Sequence, residues 1–124
     1  MLDNARVATR LPAQDLERAR RWYSEKLGLE PSDERPGGLL YRLASGEFAL
    51  FQSTGESPGS FTQIAFEVDD IDAVVAGLRE RGVEPAYEPM EVEGHYPSKN
   101  ARGERAAWFR DSENNLLGIG EPVR

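Results

Sequence analysis

The chain has no cysteine and only one histidine, His95, among its 124 residues. Without thiols there is no disulfide framework, no thiolate metal site and no cysteine nucleophile, and a reducing cytoplasm is the expected location. Long apolar runs are missing too. The opening MLDNARVATRL lacks the apolar centre of a signal peptide, and no later stretch approaches the roughly 18 apolar residues of a membrane span. Positive charge is scarce: 15 Lys and Arg stand against 22 Asp and Glu, a formal charge of -7. No basic stripe is longer than Arg18, Arg20 and Arg21. That balance repels phosphate backbones, so neither nucleic acid nor a membrane is an expected partner. The length suits one core, burying about two thirds of the surface of the unfolded chain.

What is present is a repeat. RLPAQDLERARRWYSEKLGLEP, residues 10–31, resembles AFEVDDIDAVVAGLRERGVEP, residues 65–85, with Asp15-Leu16 matching Asp70-Ile71 and Leu29-Glu30-Pro31 matching Val83-Glu84-Pro85. In each copy an apolar stretch leads to an aspartate, an amphipathic segment and a glycine. Leu16, Ala19, Trp22, Tyr23 and Leu27 share one face of a helical period, as do Ile71, Val74, Val75 and Leu78. Asp15 and Asp70 are placed to accept free amides of the first turn, and Gly28 and Gly82 to end the helices. LLYRL-ASGE-FALFQ follows the first helix and RAAWFR-DSENN-LLGIG the second, each read as two strands joined by a reversal at which Asn114 and Asn115 tolerate positive φ. Each half is therefore strand, helix, then two or three strands. We expect one domain over residues 1–124, with a first module at about 5–53, a linker at 54–60 and a second module at about 61–122.

Side chains alternate across a strand, so each strand divides by parity. Val7, Thr9, Leu11, Phe48, Leu50, Ile64, Phe66, Val68, Leu117 and Ile119 form a mainly large, apolar set. The opposite set (Ala8, Arg10, Ala49, Phe51, Gln63, Ala65, Glu67, Gly118, Gly120) is small or polar. Small residues there either let another backbone pack closely or leave a hollow for a ligand.

The duplicated strand-Asp-Leu-helix-Gly unit, together with WFRDSENNLLGI at 108–119, resembles the vicinal oxygen chelate superfamily of glyoxalase I, extradiol dioxygenases and bleomycin-resistance proteins. The resemblance covers nearly the whole chain and implies an α+β fold: two βαβββ modules with curved mixed sheets around a cavity. Its metal-dependent members place His, Glu or Gln ligands at positions that fall here on Ala8, Ala49, Gln63 and Gly118. Three of these carry no donor, whereas a catalytic metal site needs about three. No metal and no cofactor are therefore expected. The reading is a metal-independent binder of a small organic molecule, an aromatic one among the candidates, similar to the bleomycin-resistance branch and homodimeric. Its rivals are a glyoxalase-like lyase or isomerase, an extradiol dioxygenase-like metalloenzyme, and a metal-free enzyme using Glu67 or His95; whether the protein is an enzyme stays open.

The candidate ligand-contacting residues are Arg10, Tyr41, Phe51, Gln63, Glu67, His95, Tyr96 and Trp108, and the candidate catalytic ones His95 and Glu67. Each has a plainer alternative. Arg10 and Glu67 can pair with each other or with a partner subunit, and Tyr41 and Trp108 can be core. His95 and Tyr96 lie in EGHYPSKNARGE, residues 93–104, which is a ligand-contacting lid hinged at Gly94 and Gly103 or a solvated loop. Glu93 or Glu104 could orient His95, and Arg105 and Lys99 could receive an anion.

Overall fold

Capping and periodicity set the order of elements in the computed structural model, which describes residues 1–92 and 101–124. The first half runs β1 (Arg10–Ala13), α1 (Leu16–Leu27), β2 (Asp33–Arg35), β3 (Gly38–Arg42) and β4 (Glu47–Gln52); the second runs β5 (Thr62–Glu67), α2 (Ile71–Glu80), β6 (Met90–Val92), β7 (Gly103–Arg110) and β8 (Leu116–Val123). Both are β-α-β-β-β. Each helix starts where an aspartate accepts an amide of the first turn, Asp15 from Arg18 at 3.0 Å and Asp70 from Ala73 at 3.1 Å. α1 ends at Gly28, whose φ of 68° lies in the left-handed region.

The strands make two four-stranded sheets, ordered β1-β4-β3-β2 and β5-β8-β7-β6. In each, the first strand lies parallel to the last and the other pairs are antiparallel. The sheets turn their large apolar faces inward onto a common core that includes α1 and α2. Tyr23 of α1 packs on Tyr41 and Phe48 of the first sheet, while its neighbour Trp22 stacks on Phe109 of the second. Phe48 and Phe66 touch edge-to-face directly between the sheets, at 5.9 Å. The small-residue faces consequently point outward, away from each other.

Two boundaries differ from the sequence reading. The first strand, expected from Val7, starts at Arg10. Arg10 lies opposite Ala49, which would set Val7 opposite Gly46, already in the β3–β4 turn with φ 80°. The connection SDERPGG holds the short strand β2, whose charged DER has no apolar alternation to reveal it.

The D-x-x-x-N-L-L motif has a structural explanation. Asp111 Oδ1 accepts the amides of Glu113 and Asn115, closing the β7–β8 reversal, and Asn114 takes φ 67°. The same turn reaches into the first module. The Tyr23 hydroxyl donates to Asp111 Oδ2 at 2.6 Å, Asn115 Nδ2 donates to the Pro12 carbonyl, and Arg18 makes a two-point contact with Glu113 at 2.9 Å. Burial works to raise the Glu113 carboxyl, but Arg18, the Asp15 amide and Ser112 outweigh it and hold the group below the ordinary value. Burial, then the Asp111 charge, pushes Tyr23 well above the tyrosine range.

Candidate functional site

The outward face of the second sheet is built over two glycines. Ladder register sets Gly118 beside Ala65 on β5 and Trp108 on β7, and Gly120 beside Glu67 and Ala106. A Cβ added at Gly118 would meet Thr62 Cγ2 at 3.3 Å, Ala65 Cβ at 3.4 Å and Trp108 Nε1 at 3.5 Å. The Trp108 indole N–H donates to Thr62 Oγ1 at 3.0 Å, which holds the ring at the edge of this floor. The carboxylate of Glu104 lies over Gly120, on space that a Cβ there would occupy. Glu67 and Ala65 are exposed, whereas Ala106, Gly118 and Gly120 are covered.

The outward face of the first sheet carries Arg10, Gly38, Leu40, Ala49 and Phe51, with a cavity of about 420 Å³ over them. A larger groove, about 790 Å³, opens on the inward side instead, between β5, the start of β4 and the two helices, with Phe48, Ile64, Phe66, Leu78 and Phe109 among its walls. The small-residue parity thus locates one hollow and misses the larger one, which lies on the side expected to be filled.

The proposed contact residues separate on this frame. Arg10, Phe51, Glu67 and Trp108 lie on the outward faces. Tyr41 does not: it is 1% exposed, faces inward and stacks on Phe48 at 5.0 Å, because its strand parity matches Leu39. Burial pushes its hydroxyl up to about 12. Gln63 is also diverted. A register shift between Thr62 and Ile64 takes it out of the β5–β8 ladder, and its amide oxygen accepts from Ser57 Oγ at 2.6 Å and the Leu116 amide at 3.2 Å. Arg105 is committed to Asp72 of α2 through two contacts of 2.9 and 3.1 Å, which hold the Asp72 carboxyl below its ordinary value. His95, Tyr96, Glu93 and Lys99 lie outside the described residues. Sequence reasoning did not single out Thr62, Leu40 or Ala106 on these faces; Thr62 was recoverable only by anticipating the bulge.

The metal positions of the resembling family can be tested on this geometry. Ala8, Ala49 and Gly118 offer no donor, and the Gln63 oxygen already accepts two hydrogen bonds. Among the described residues no group of three or more His, Asp or Glu is arranged to hold a metal ion. Among the described residues, these four positions do not fit the family's metal.

The sequence profile of the Glyoxalase/Bleomycin resistance protein/Dioxygenase superfamily matches residues 5–118. The chain belongs to this superfamily. Solved structures share its fold at low identity. A protein from the mobile metagenome of V. Pseudocholerae, VPC_CASS1, matches with TM-score 0.75 and 17% identity over 100% of this chain and 99% of its own. A glyoxalase/bleomycin resistance protein/dioxygenase from Nocardioides matches at 0.71 and 22%, over 98% and 86%. TnmS3, an antibiotic binding protein from Streptomyces sp. CB03234, matches at 0.66 and 24%, over 97% and 98%. No curated protein matches the sequence. Among the described residues of this superfamily member, no helix is long and apolar enough to cross a membrane.

Proposed function

We propose that the protein binds a small, flat organic molecule on its outward sheet faces without using a metal, as a cytoplasmic homodimer. The observation that carries this reading is the exchange of donors for space: where metal-dependent relatives hold ligands, this chain has Ala8, Ala49 and Gly118, and Trp108 is fixed beside the resulting floor. A ring lying on Gly118 and Ala65 would bury apolar surface against the indole, and Glu67 and Glu104 would supply orienting polar contacts at the rim. The antibiotic-binding description of TnmS3 supports the same class of ligand. Absence of cysteine agrees with a cytoplasmic site of action.

The test is elemental mass spectrometry of untagged protein incubated with nickel, zinc, manganese and ferrous iron, followed by thermal-shift screening of planar aromatic metabolites and antibiotics. The reading expects no stoichiometric metal, and a ligand whose binding quenches tryptophan fluorescence and weakens about tenfold or more in Trp108→Ala. One retained metal per chain overturns it.

A further inference from the structure

The cavity of about 420 Å³ over the first sheet differs in charge from the floor beside Trp108. The ladder register arranges its lining in rows across the strands. Arg10, Ala49, Leu40 and Asp33 make one row, and Phe51, Gly38 and Arg35 belong to the next. Residues paired in this way share a face, so an apolar floor lies between a cation on β1 and an ion pair on β2. Adjacent strands are about 4.8 Å apart, which makes the floor about 14 Å wide from Arg10 to Asp33, room for a pair of fused rings. Its volume falls within the roughly 300–1,000 Å³ of small-molecule sites.

The charges around this floor do not cancel. Arg10, Asp33, Arg35 and Glu47 bring charge to the lining. Arg35 Nε donates to Asp33 at 3.0 Å, and Arg42 Nε donates to Glu47 at 3.2 Å. Both lining carboxylates are therefore matched by a guanidinium. Arg10 has no hydrogen-bond or ion-pair partner among the described residues. A guanidinium presents its donors in a planar fork that fits a carboxylate through two parallel bonds, and it stays charged throughout the physiological pH range. On the second sheet, by contrast, the Glu104 carboxylate lies over Gly120, where it would repel an anion.

We propose that the outward face of the first sheet binds a flat organic carboxylate, its ring lying on Leu40 and Ala49 against Phe51 and its anion meeting the Arg10 guanidinium. The inference deepens the binding reading and takes the flat shape of the ligand from it. The negative charge, and the choice of face, come from the uncompensated Arg10.

The experiment is isothermal titration calorimetry of the untagged full-length protein with naphthoate and with its neutral counterpart naphthamide, in buffer containing EDTA at about pH 7, where a carboxylate is ionised. Wild type is expected to bind naphthoate at least about tenfold more tightly than naphthamide, because charge-assisted hydrogen bonds distinguish the two. Arg10→Gln should erase that preference. Arg6→Gln makes the same change of charge at a residue outside the cavity lining and should keep it. Equal binding of both compounds by the wild type overturns the proposal and leaves the binding reading standing; binding of neither overturns the proposal and counts against both. A preference that survives in Arg10→Gln, or is lost equally in Arg6→Gln, also overturns it. If Arg10→Gln fails to fold, amide chemical shifts of the wild type decide: naphthoate should move those of Arg10, Leu40 and Ala49, and movement confined to Ala65, Trp108 and Gly118 overturns the proposal.

Discussion

Two buried tyrosines separate the value of a hydroxyl from that of its ring. Tyr23 and Tyr41 pack against each other in the core, each 1% exposed or less. The Tyr23 hydroxyl donates to Asp111 at 2.6 Å, whereas that of Tyr41 has no partner among the described residues. A bond to a charged acceptor contributes about 1.5–3 kcal/mol, while an unsatisfied buried hydroxyl costs free energy. Tyr23→Phe should therefore destabilise by about 2 kcal/mol, and Tyr41→Phe should be neutral or stabilising. Urea unfolding with unchanged m-values checks both; equal losses in the two variants would mean that the Asp111 contact adds nothing beyond ring packing.

At the scale of elements, the linker is fastened to the β7–β8 turn. Arg110 donates to the Gly59 carbonyl at 2.8 and 3.3 Å, and Asn114 Nδ2 to that of Ser57 at 3.0 Å. Gly59 has φ 64°, and a Cβ there would lie 2.7 Å from the Asn114 carbonyl oxygen; Gly46, with φ 80°, has nothing within 4 Å. Gly46→Ala pays only the left-handed strain, about 1 kcal/mol. Gly59→Ala must in addition push the linker off the turn and should cost about 3 kcal/mol or more, read as a difference in thermal midpoint between the variants. This fastening shows what the sequence made legible. The paired helices could be read because Asp15 and Asp70 precede clean helical periodicity, and the core face because apolar residues alternate along β4 and β8. Tyr41, which takes its core alternative, and Gln63 lie off the outward faces for different reasons. The parity sets did not extend to β3, so nothing in them assigned Tyr41 a side. Gln63 sits at a bulge, a one-residue insertion that alternation cannot register. The large groove was illegible because it arises from how the two modules meet, which no single strand encodes.

Across the whole molecule, the β7–β8 reversal fastens those modules together beside their shared core, and its electrostatics should appear in the pH dependence of folding. Glu113, buried with its side chain 1% exposed, holds Arg18 of α1, the amide of Asp15 and the Ser112 hydroxyl. Its carboxyl is held below the model-compound value of 4.5 in the folded protein. A depressed folded value means that the unfolded chain binds the proton more readily. The stabilisation is thus fully present above about 4.5 and is lost as pH falls through the folded value. Wild type should exceed Glu113→Gln in urea midpoint at about pH 7, with the gap closing as pH is lowered below about 4.5. Because Glu113 joins α1 to the β7–β8 hairpin, losing the charge should loosen contacts between modules before those within either sheet. Amides of the hairpin and of the first turn of α1 should gain exchange at acid pH ahead of the β3–β4 ladder. A midpoint gap that stays constant through that range would show that Glu113 holds the modules by packing and neutral hydrogen bonds, with its charge making no net contribution.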